Sequence, residues 1–242
     1  MIKRISPSQL DKQYLALRPY NATPINVNFN KLVVNKPWGS EYLLYKNTQA
    51  EVWHLSLSHQ RSTSMHCHPQ KKTALVVVEG RALFSSLNES IELHPLDVVV
   101  ISPGTFHSTQ SLSSAGTRVL EFETPPMKHD LVRLEDKYGR AEKGYEGAEK
   151  MIIDKSKIRL ALKDFGATKD LSDKKACLKM INNAKDLASI NSKRFELAIL
   201  TSGSMASKPD GQSYLMPYAM SVEELKETDC AFSNVCVFLL GR

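Results

Sequence analysis

The chain of 242 residues is poor in cysteine, and its four, Cys67, Cys177, Cys230 and Cys236, form no Cys-x-x-Cys pair. No disulfide framework or zinc-ribbon spacing follows from them. No apolar run approaches the roughly 20 residues of a membrane span, and the start, Met-Ile-Lys-Arg-Ile-Ser-Pro-Ser-Gln, lacks the apolar core of a secretory signal. A cytoplasmic protein with no membrane partner is the expectation. There is also no block of basic residues: the net charge is +6, with lysines and arginines interleaved among acids. That pattern excludes a nucleic-acid stripe and leaves a mild preference for anionic small molecules. Histidine is absent after His129, so ligand-type chemistry belongs to the first half.

What is present is a series of short apolar runs separated by Gly, Pro and Asn turns. Two runs flank Lys36-Pro37-Trp38-Gly39. Glu51–Ser58 alternates Trp53, Leu55 and Leu57 against Val52, His54 and Ser56, which predicts a half-buried strand with His54 on the face away from the core. Ala74–Val78, Arg81–Ser86, Ser90–Leu93, Val98–Ile101 and Arg118–Glu123 continue the series. Many short strands at close spacing predict an all-β barrel or sandwich. Before it, Ser8 is positioned to cap a helix to Leu17, and Arg18–Asn30 reads as an extended arm suited to lie across a partner subunit. Pro125–Tyr145 reads as a polar linker. In the last part, 172–183 and 221–226 carry helix-type composition, while 195–201 and 234–240 carry strand-type composition.

A faint repeat links the halves. Val76-Val-Val-Glu-Gly80 and Pro95-Leu-Asp-Val98 find echoes in Ile199-Leu-Thr-Ser-Gly203 and Pro217-Tyr-Ala-Met-Ser-Val222, with a similar gap. Two readings of 151–242 follow: a second, degenerate copy of the barrel core, or an unrelated α+β appendage. In the repeat reading, Ser189 and Asn191 stand where the first copy has His66 and His68.

The chemistry concentrates at His66-Cys67-His68. Residues i and i+2 of a strand share a face, so both imidazoles project together and Cys67 points away as a packing residue. His107 follows Ser-Pro-Gly-Thr-Phe at the head of another strand. Three neutral imidazoles suit a divalent ion such as zinc, iron, nickel, copper or manganese, with open positions for water or substrate. The alternative is a cup whose histidines only hydrogen-bond. Glu79, Glu121, Glu123 and His54 are candidates for proton transfer. Lys71 and Lys72 are candidates to receive a phosphate, against the plainer reading of two solvated lysines.

His-x-His, a Val-rich run into Glu-Gly, then Pro-Gly-x-x-His resembles the two-part signature of the cupin superfamily, jelly-roll β-barrels. More narrowly, Lys-Pro-Trp-Gly-Ser-Glu-Tyr at 36–42, Ser-Met-His-Cys-His at 64–68, Pro-Gly-Thr-Phe-His at 103–107 and Asp-Leu-Val-Arg-Leu-Glu-Asp-Lys-Tyr-Gly-Arg at 130–140 resemble the cupin domain of type II phosphomannose (mannose-6-phosphate) isomerases. The resemblance covers roughly residues 31–142. With only about thirty residues ahead of it, the guanylyltransferase domain that often precedes such cupins is not expected. It implies a metal held by His66, His68 and His107, and aldose–ketose isomerisation of a sugar phosphate. The family's acidic ligand falls at Thr73, and its arginine at Lys71. The domain organisation implied is an arm over 1–30, a metal-bearing barrel over 31–128, a tail over 129–150 and a second, metal-free cupin or α+β domain over 151–242. The function implied is a metal-dependent isomerase or epimerase acting on a phosphorylated or nucleotide-linked sugar in polysaccharide biosynthesis, in a homodimer. The rival readings are a non-catalytic sugar-binding scaffold and a three-histidine dioxygenase.

Overall fold

The computed structural model describes residues 1–18, 20, 27–139, 145–172, 175–204, 215–228 and 233–242. Cys230, Arg140 and most of the arm to which dimerisation was assigned lie outside the described residues. The chain begins with strand β1 (Ile2–Ile5), then helix α1 (Gln9–Ala16). Ser8 caps the helix as its sequence predicts. Its hydroxyl accepts the Asp11 amide at 3.2 Å, and the Asp11 carboxylate accepts the Ser8 amide at 2.8 Å, so two otherwise unpaired helix-end donors are satisfied together.

The barrel strands follow in order: β2 (Leu32–Lys36), β3 (Gly39–Lys46), β4 (Glu51–Leu57), β5 (Met65–Cys67), β6 (Lys72–Glu79), β7 (Ala82–Ser86), β8 (Ser90–Leu93), β9 (Val98–Ile101), β10 (His107–Ser111), β11 (Thr117–Thr124), β12 (Val132–Glu135) and β13 (Met151–Ile153). They form two facing sheets, ordered β1-β9-β6-β11-β4-β3-β2-β13 and β12-β5-β10-β7-β8. The segment read as a loose N-terminal arm thus contributes a strand: β1 runs parallel to β9, Ile2 beside Val98 and Ile5 beside Ile101. Lys36-Pro-Trp-Gly39 closes the β2–β3 hairpin. Gly39 is required there, because a Cβ would lie 1.9 Å from the Ser56 carbonyl oxygen.

A third sheet contains β14 (Thr168–Ser172), β15 (Ala176–Ile181), β16 (Phe195–Ser204), β17 (Tyr218–Ser221) and β18 (Ser233–Gly241), with α2 (Ala184–Ala188) and α3 (Val222–Glu227). Its order, β14-β15-β18-β16-β17, is antiparallel throughout. It reproduces the order β3-β4-β11-β6-β9 of the barrel in the same chain sequence. The repeat seen in the sequence is therefore real at the level of one sheet. When Gly80 is set on Gly203, the cup-facing Leu75 and Val77 fall on Ala198 and Leu200, and the outer Ala74 and Val76 fall on Leu197 and Ile199. Ala198 and Leu200 pack with Leu187, Val222 and Leu225 of α2 and α3. Leu197 and Ile199 pack against the barrel. The two related sheets stand back to back.

Two corrections follow. Among the described residues 151–242 do not close a second barrel: α2 occupies the interval where β5 lies in the first copy, α3 the interval of β10, and no second cup is formed. The helix expected over 172–183 is largely strand β15. Its alternation decides it, since Ala176, Leu178 and Met180 face the barrel while Cys177 and Ile181 face the helices, and a two-sided burial of this kind overrides helix propensity. The same packing buries the outer face of β4, so His54 is 4% exposed and stacks on Tyr42 with centroids 4.9 Å apart. Among the described residues no helix is long and apolar enough to cross a membrane.

Candidate metal centre in the barrel cup

The five-stranded sheet brings the predicted histidines together. On β5, His66 lies directly across from His107 of β10 and, on its other side, across from Arg133 of β12. His68 follows β5, where the chain turns. Ring centroids lie 4.5 Å (His66–His107), 5.0 Å (His66–His68) and 5.6 Å (His68–His107) apart. One nitrogen from each can be chosen so that all three lie within 4.8 Å of one another.

The backbone sets the tautomer of each ring. Nδ1 of His66 meets the Ser64 carbonyl at 2.8 Å, that of His68 the Asp130 carbonyl at 2.5 Å, and that of His107 the Thr105 carbonyl at 2.9 Å. A carbonyl only accepts, so each Nδ1 carries the hydrogen and each Nε2 keeps its lone pair. The Nε2 atoms of His68 and His107 are buried with no hydrogen-bond partner among the described residues. Burial, reinforced for His66 by His107 and for His68 by Lys71, holds these two rings well below 6.5, and burial brings His107 to about 4. All three imidazoles are neutral at physiological pH. Three oriented imidazole nitrogens, two of them buried without a partner, fit a divalent ion.

The position of the loop after His68 depends on Asp130. This fully buried carboxylate accepts the amides of Gln70 (3.0 Å) and Lys71 (2.8 Å) and the Tyr20 hydroxyl (2.5 Å), while its carbonyl holds His68. Asp130 thus holds the loop after His68, and Arg133 turns into the cup. Cys67 points away to pack on Phe106 and Val132, and burial raises its thiol to about 12.

Of the candidate acids, Glu121 and Glu123 of β11 face the cup, and together with His68 they form a second cluster of possible ligand atoms. Burial and then the charge of Glu123 lift Glu121 to about 8. Burial also opposes ionisation of Glu123, but Lys71 and Lys128 outweigh it and bring Glu123 to about 2. Glu79 is elsewhere, at the far end of β6, paired with Arg118 and Lys175 at 3.1 Å each. The two lysines also separate. Lys71 is 1% exposed and donates to Glu123 at 2.5 Å; it is not a solvated lysine. Lys72 lies outside the cup, with its ammonium on the Leu215 carbonyl at 2.6 Å. His54, on the outer face, is remote from the cup.

Several cup residues were not singled out from the sequence. Glu51 of β4 is buried across from Glu123, and burial and then the charge of that neighbour raise its carboxyl. Lys36, Trp38, Glu41, Lys128, Arg133 and Tyr145 line the same cavity as the histidines. Lys128 sits 3.6 Å over the Trp53 ring and 3.0 Å from Glu41. The signal for three of these was the Lys-Pro-Trp-Gly-Ser-Glu stretch, whose Lys36, Trp38 and Glu41 all reach the cup.

No family model matches the chain, and no curated protein does. Solved structures give loose likenesses. KdgF from Halomonas sp. is 16% identical over 37% of this chain and 82% of its own, with a TM-score of 0.35. A sugar phosphate isomerase of the cupin superfamily from Silicibacter pomeroyi is 16% identical over 40% and 60%, at 0.33. The capsular polysaccharide assembling protein CapF from Staphylococcus aureus is 20% identical over 43% and 34%, at 0.38. The chain spans about a third of CapF. Likenesses this loose carry no argument about activity. What the structure itself shows is two facing sheets with three histidines gathered between them.

Proposed function

We propose that this protein is a metal-dependent cupin of the isomerase or epimerase type, acting on a phosphorylated or nucleotide-linked sugar. The observation that carries the reading is the set of three imidazoles whose Nδ1–H groups are taken by backbone carbonyls, leaving their Nε2 lone pairs in one cup beside two carboxyls of opposite protonation. His66, His68 and His107 would hold the ion. When bound, it supplies Lewis-acid polarisation of a sugar carbonyl or hydroxyl. Glu123, ionised, is suited to take a proton from the carbon next to the carbonyl. Glu121, protonated near neutral pH, is suited to protonate the carbonyl oxygen; Glu123 then returns its proton to the former carbonyl carbon while Glu121, now ionised, takes the proton of the neighbouring hydroxyl, which becomes the new carbonyl. The substrate class and a place in polysaccharide synthesis rest on the sequence resemblance.

The test is elemental analysis of purified protein, followed by NMR of hexose 6-phosphates and nucleotide sugars incubated with it. The reading expects one equivalent of metal, lost with turnover in His66→Ala, and Glu121→Gln that keeps metal but loses turnover. A metal-free preparation that turns over substrate would refute it. A second reading, a non-catalytic sugar-binding cupin, is favoured by one specific contact: the buried Lys71 ammonium already occupies the Glu123 carboxylate that would act as base. It expects saturable sugar-phosphate binding, indifferent to chelator, with no product.

A further inference from the structure

The carboxylate of Asp11 has a second contact that helix capping does not require. In the Ser8–Asp11 capping box of α1 it needs only to accept the Ser8 amide. Yet Asp11 is 1% exposed. One oxygen takes the Ser8 amide at 2.8 Å and the Ser8 hydroxyl at 2.5 Å. The other accepts the amide of Phe106, ninety-five residues on, at 2.8 Å. β1 brings the helix there. It runs beside β9, and just past both strands the Ser102 amide donates to the Ile5 carbonyl at 2.9 Å. The start of α1 and the loop leading to His107 therefore leave one strand pair together. Leu15 of α1 packs on the cluster of Phe106, Cys67 and Val132.

Phe106 precedes His107, and its N–H belongs to the same planar peptide group as the Thr105 carbonyl. That carbonyl takes the His107 Nδ1–H at 2.9 Å. One peptide group thus has the Asp11 carboxylate on its N–H and the His107 ring on its C=O. A negative charge on the N–H draws electron density toward the carbonyl oxygen, and hydrogen bonds in such a chain strengthen one another. A stronger acceptor at Nδ1–H makes Nε2 a better donor to an ion, as when a carboxylate holds a metal-bound histidine directly. Here a peptide group is interposed. Asp11, Thr105 and His107 are each 1% exposed and Phe106 is fully buried, so water does not compete along the path.

We propose that Asp11 is a positioning residue of the metal centre, acting on His107 through the Thr105–Phe106 peptide group to fix the ring and raise the donor strength of its Nε2. This rests on the reading that the three histidines hold an ion, and it adds a residue of the N-terminal helix to the groups that set the affinity. His66 and His68 lie off this path, since their Nδ1–H groups go to the Ser64 and Asp130 carbonyls.

The experiment compares the full chain, wild type and Asp11→Asn, by two readouts. Asparagine keeps the shape and an acceptor oxygen for the Phe106 amide but removes the charge. In heteronuclear NMR of the metal-free chain, the Hδ1 resonance of His107 should therefore move upfield in Asp11→Asn while that of His66 stays. Zinc affinity, read by competition with a chromophoric chelator, should fall by about tenfold, the lower end of the cost of losing a group that supports a metal ligand. An unmoved His107 resonance overturns the proposal whatever happens to stability, and so does an unmoved zinc affinity. Ser8→Ala is the second variant. It weakens the helix cap but leaves Asp11 and its bond to Phe106, so stability should drop while zinc affinity holds. If Asp11→Asn does not fold, Ser8→Ala decides: zinc affinity falling in step with stability would mean that the contact acts through folding alone, against the proposal. The NMR arm needs no metal. A chain that takes up no zinc yet shows the His107 shift counts against the metal reading and leaves the coupling of Asp11 to His107 standing; zinc uptake with an unmoved His107 does the reverse.

Discussion

Thr73 on β6 lies directly across from Glu123 on β11. A carboxylate thus stands beside the position where the sequence resemblance places one, with Glu123 Oε1 3.9 Å from His68 Nε2. The Thr73 hydroxyl, buried and without a partner, contributes nothing in its place. Thr73→Val should leave metal affinity unchanged, whereas Glu123→Gln should lower it by roughly 10–100-fold, the usual cost of removing a polar group that supports a metal ligand. Competition with a chromophoric chelator reads both. Equal affinities in the two variants would remove Glu123 from the site.

Metal loading should resist acid. An ordinary histidine with a pKa near 6.5 becomes protonated and releases its ion as pH falls through 6. Here burial keeps His66 and His68 well below that value and His107 at about 4. Proton competition should therefore begin only as pH falls toward 4. Dialysis at pH 7 and at pH 5.5 followed by elemental analysis should give the same metal content; half-loss by pH 6 would contradict the neutral-imidazole description.

The strands and the three histidines were legible because their signals are local. Alternation over Glu51–Ser58 and the turn at Lys36-Pro-Trp-Gly39 each depend on residues within one hairpin, and His-x-His fixes a shared face by strand geometry alone. What was not legible depends on partners distant in sequence. His54 looked like a residue facing away from the core because nothing nearby says that a second sheet covers the outer face of β4. Lys71 looked like a surface lysine because its partner, Glu123, is fifty-two residues on. Residues 172–183 have helix composition, and stacking against the barrel makes Ala176–Ile181 a strand. The repeat was visible through Gly80 and Gly203, yet the replacement of one sheet by α2 and α3 could not be seen from those marks.

His54 gives a separate pH prediction, independent of the cup. It is 4% exposed on the outer face of β4, its Nδ1 has no partner among the described residues, and burial with the nearby Arg118 charge lowers it to about 4. The unfolded chain, near 6.5, binds this proton first, so stability contributed by keeping His54 neutral is complete above pH 6.5 and is lost as pH falls toward 4. The loss amounts to roughly 3 kcal/mol across that window. His54→Phe, which can stack on Tyr42 without titrating, should flatten the acid limb in chemical denaturation at pH 4.5, 5.5 and 7. An unchanged slope would place the acid sensitivity on other groups.

Phe238 tests whether the half-barrel and the barrel form one cooperative unit. It is fully buried on β18 and meets two barrel rings edge-on, Phe122 with centroids 5.2 Å apart and Tyr45 at 5.4 Å. The cluster around it mixes residues from both back-to-back sheets, so a cavity there weakens each. Phe238→Ala should cost about 3–5 kcal/mol. Leu162→Ala, at a position 77% exposed, should fall within about 0.5 kcal/mol of wild type. Denaturant melts followed by tryptophan fluorescence read the barrel, since Trp38 and Trp53 both belong to it. If the sheets unfold together, Phe238→Ala lowers the midpoint of that signal and of far-ultraviolet circular dichroism by the same amount. A barrel signal left at the wild-type midpoint would mean that the C-terminal sheet melts alone.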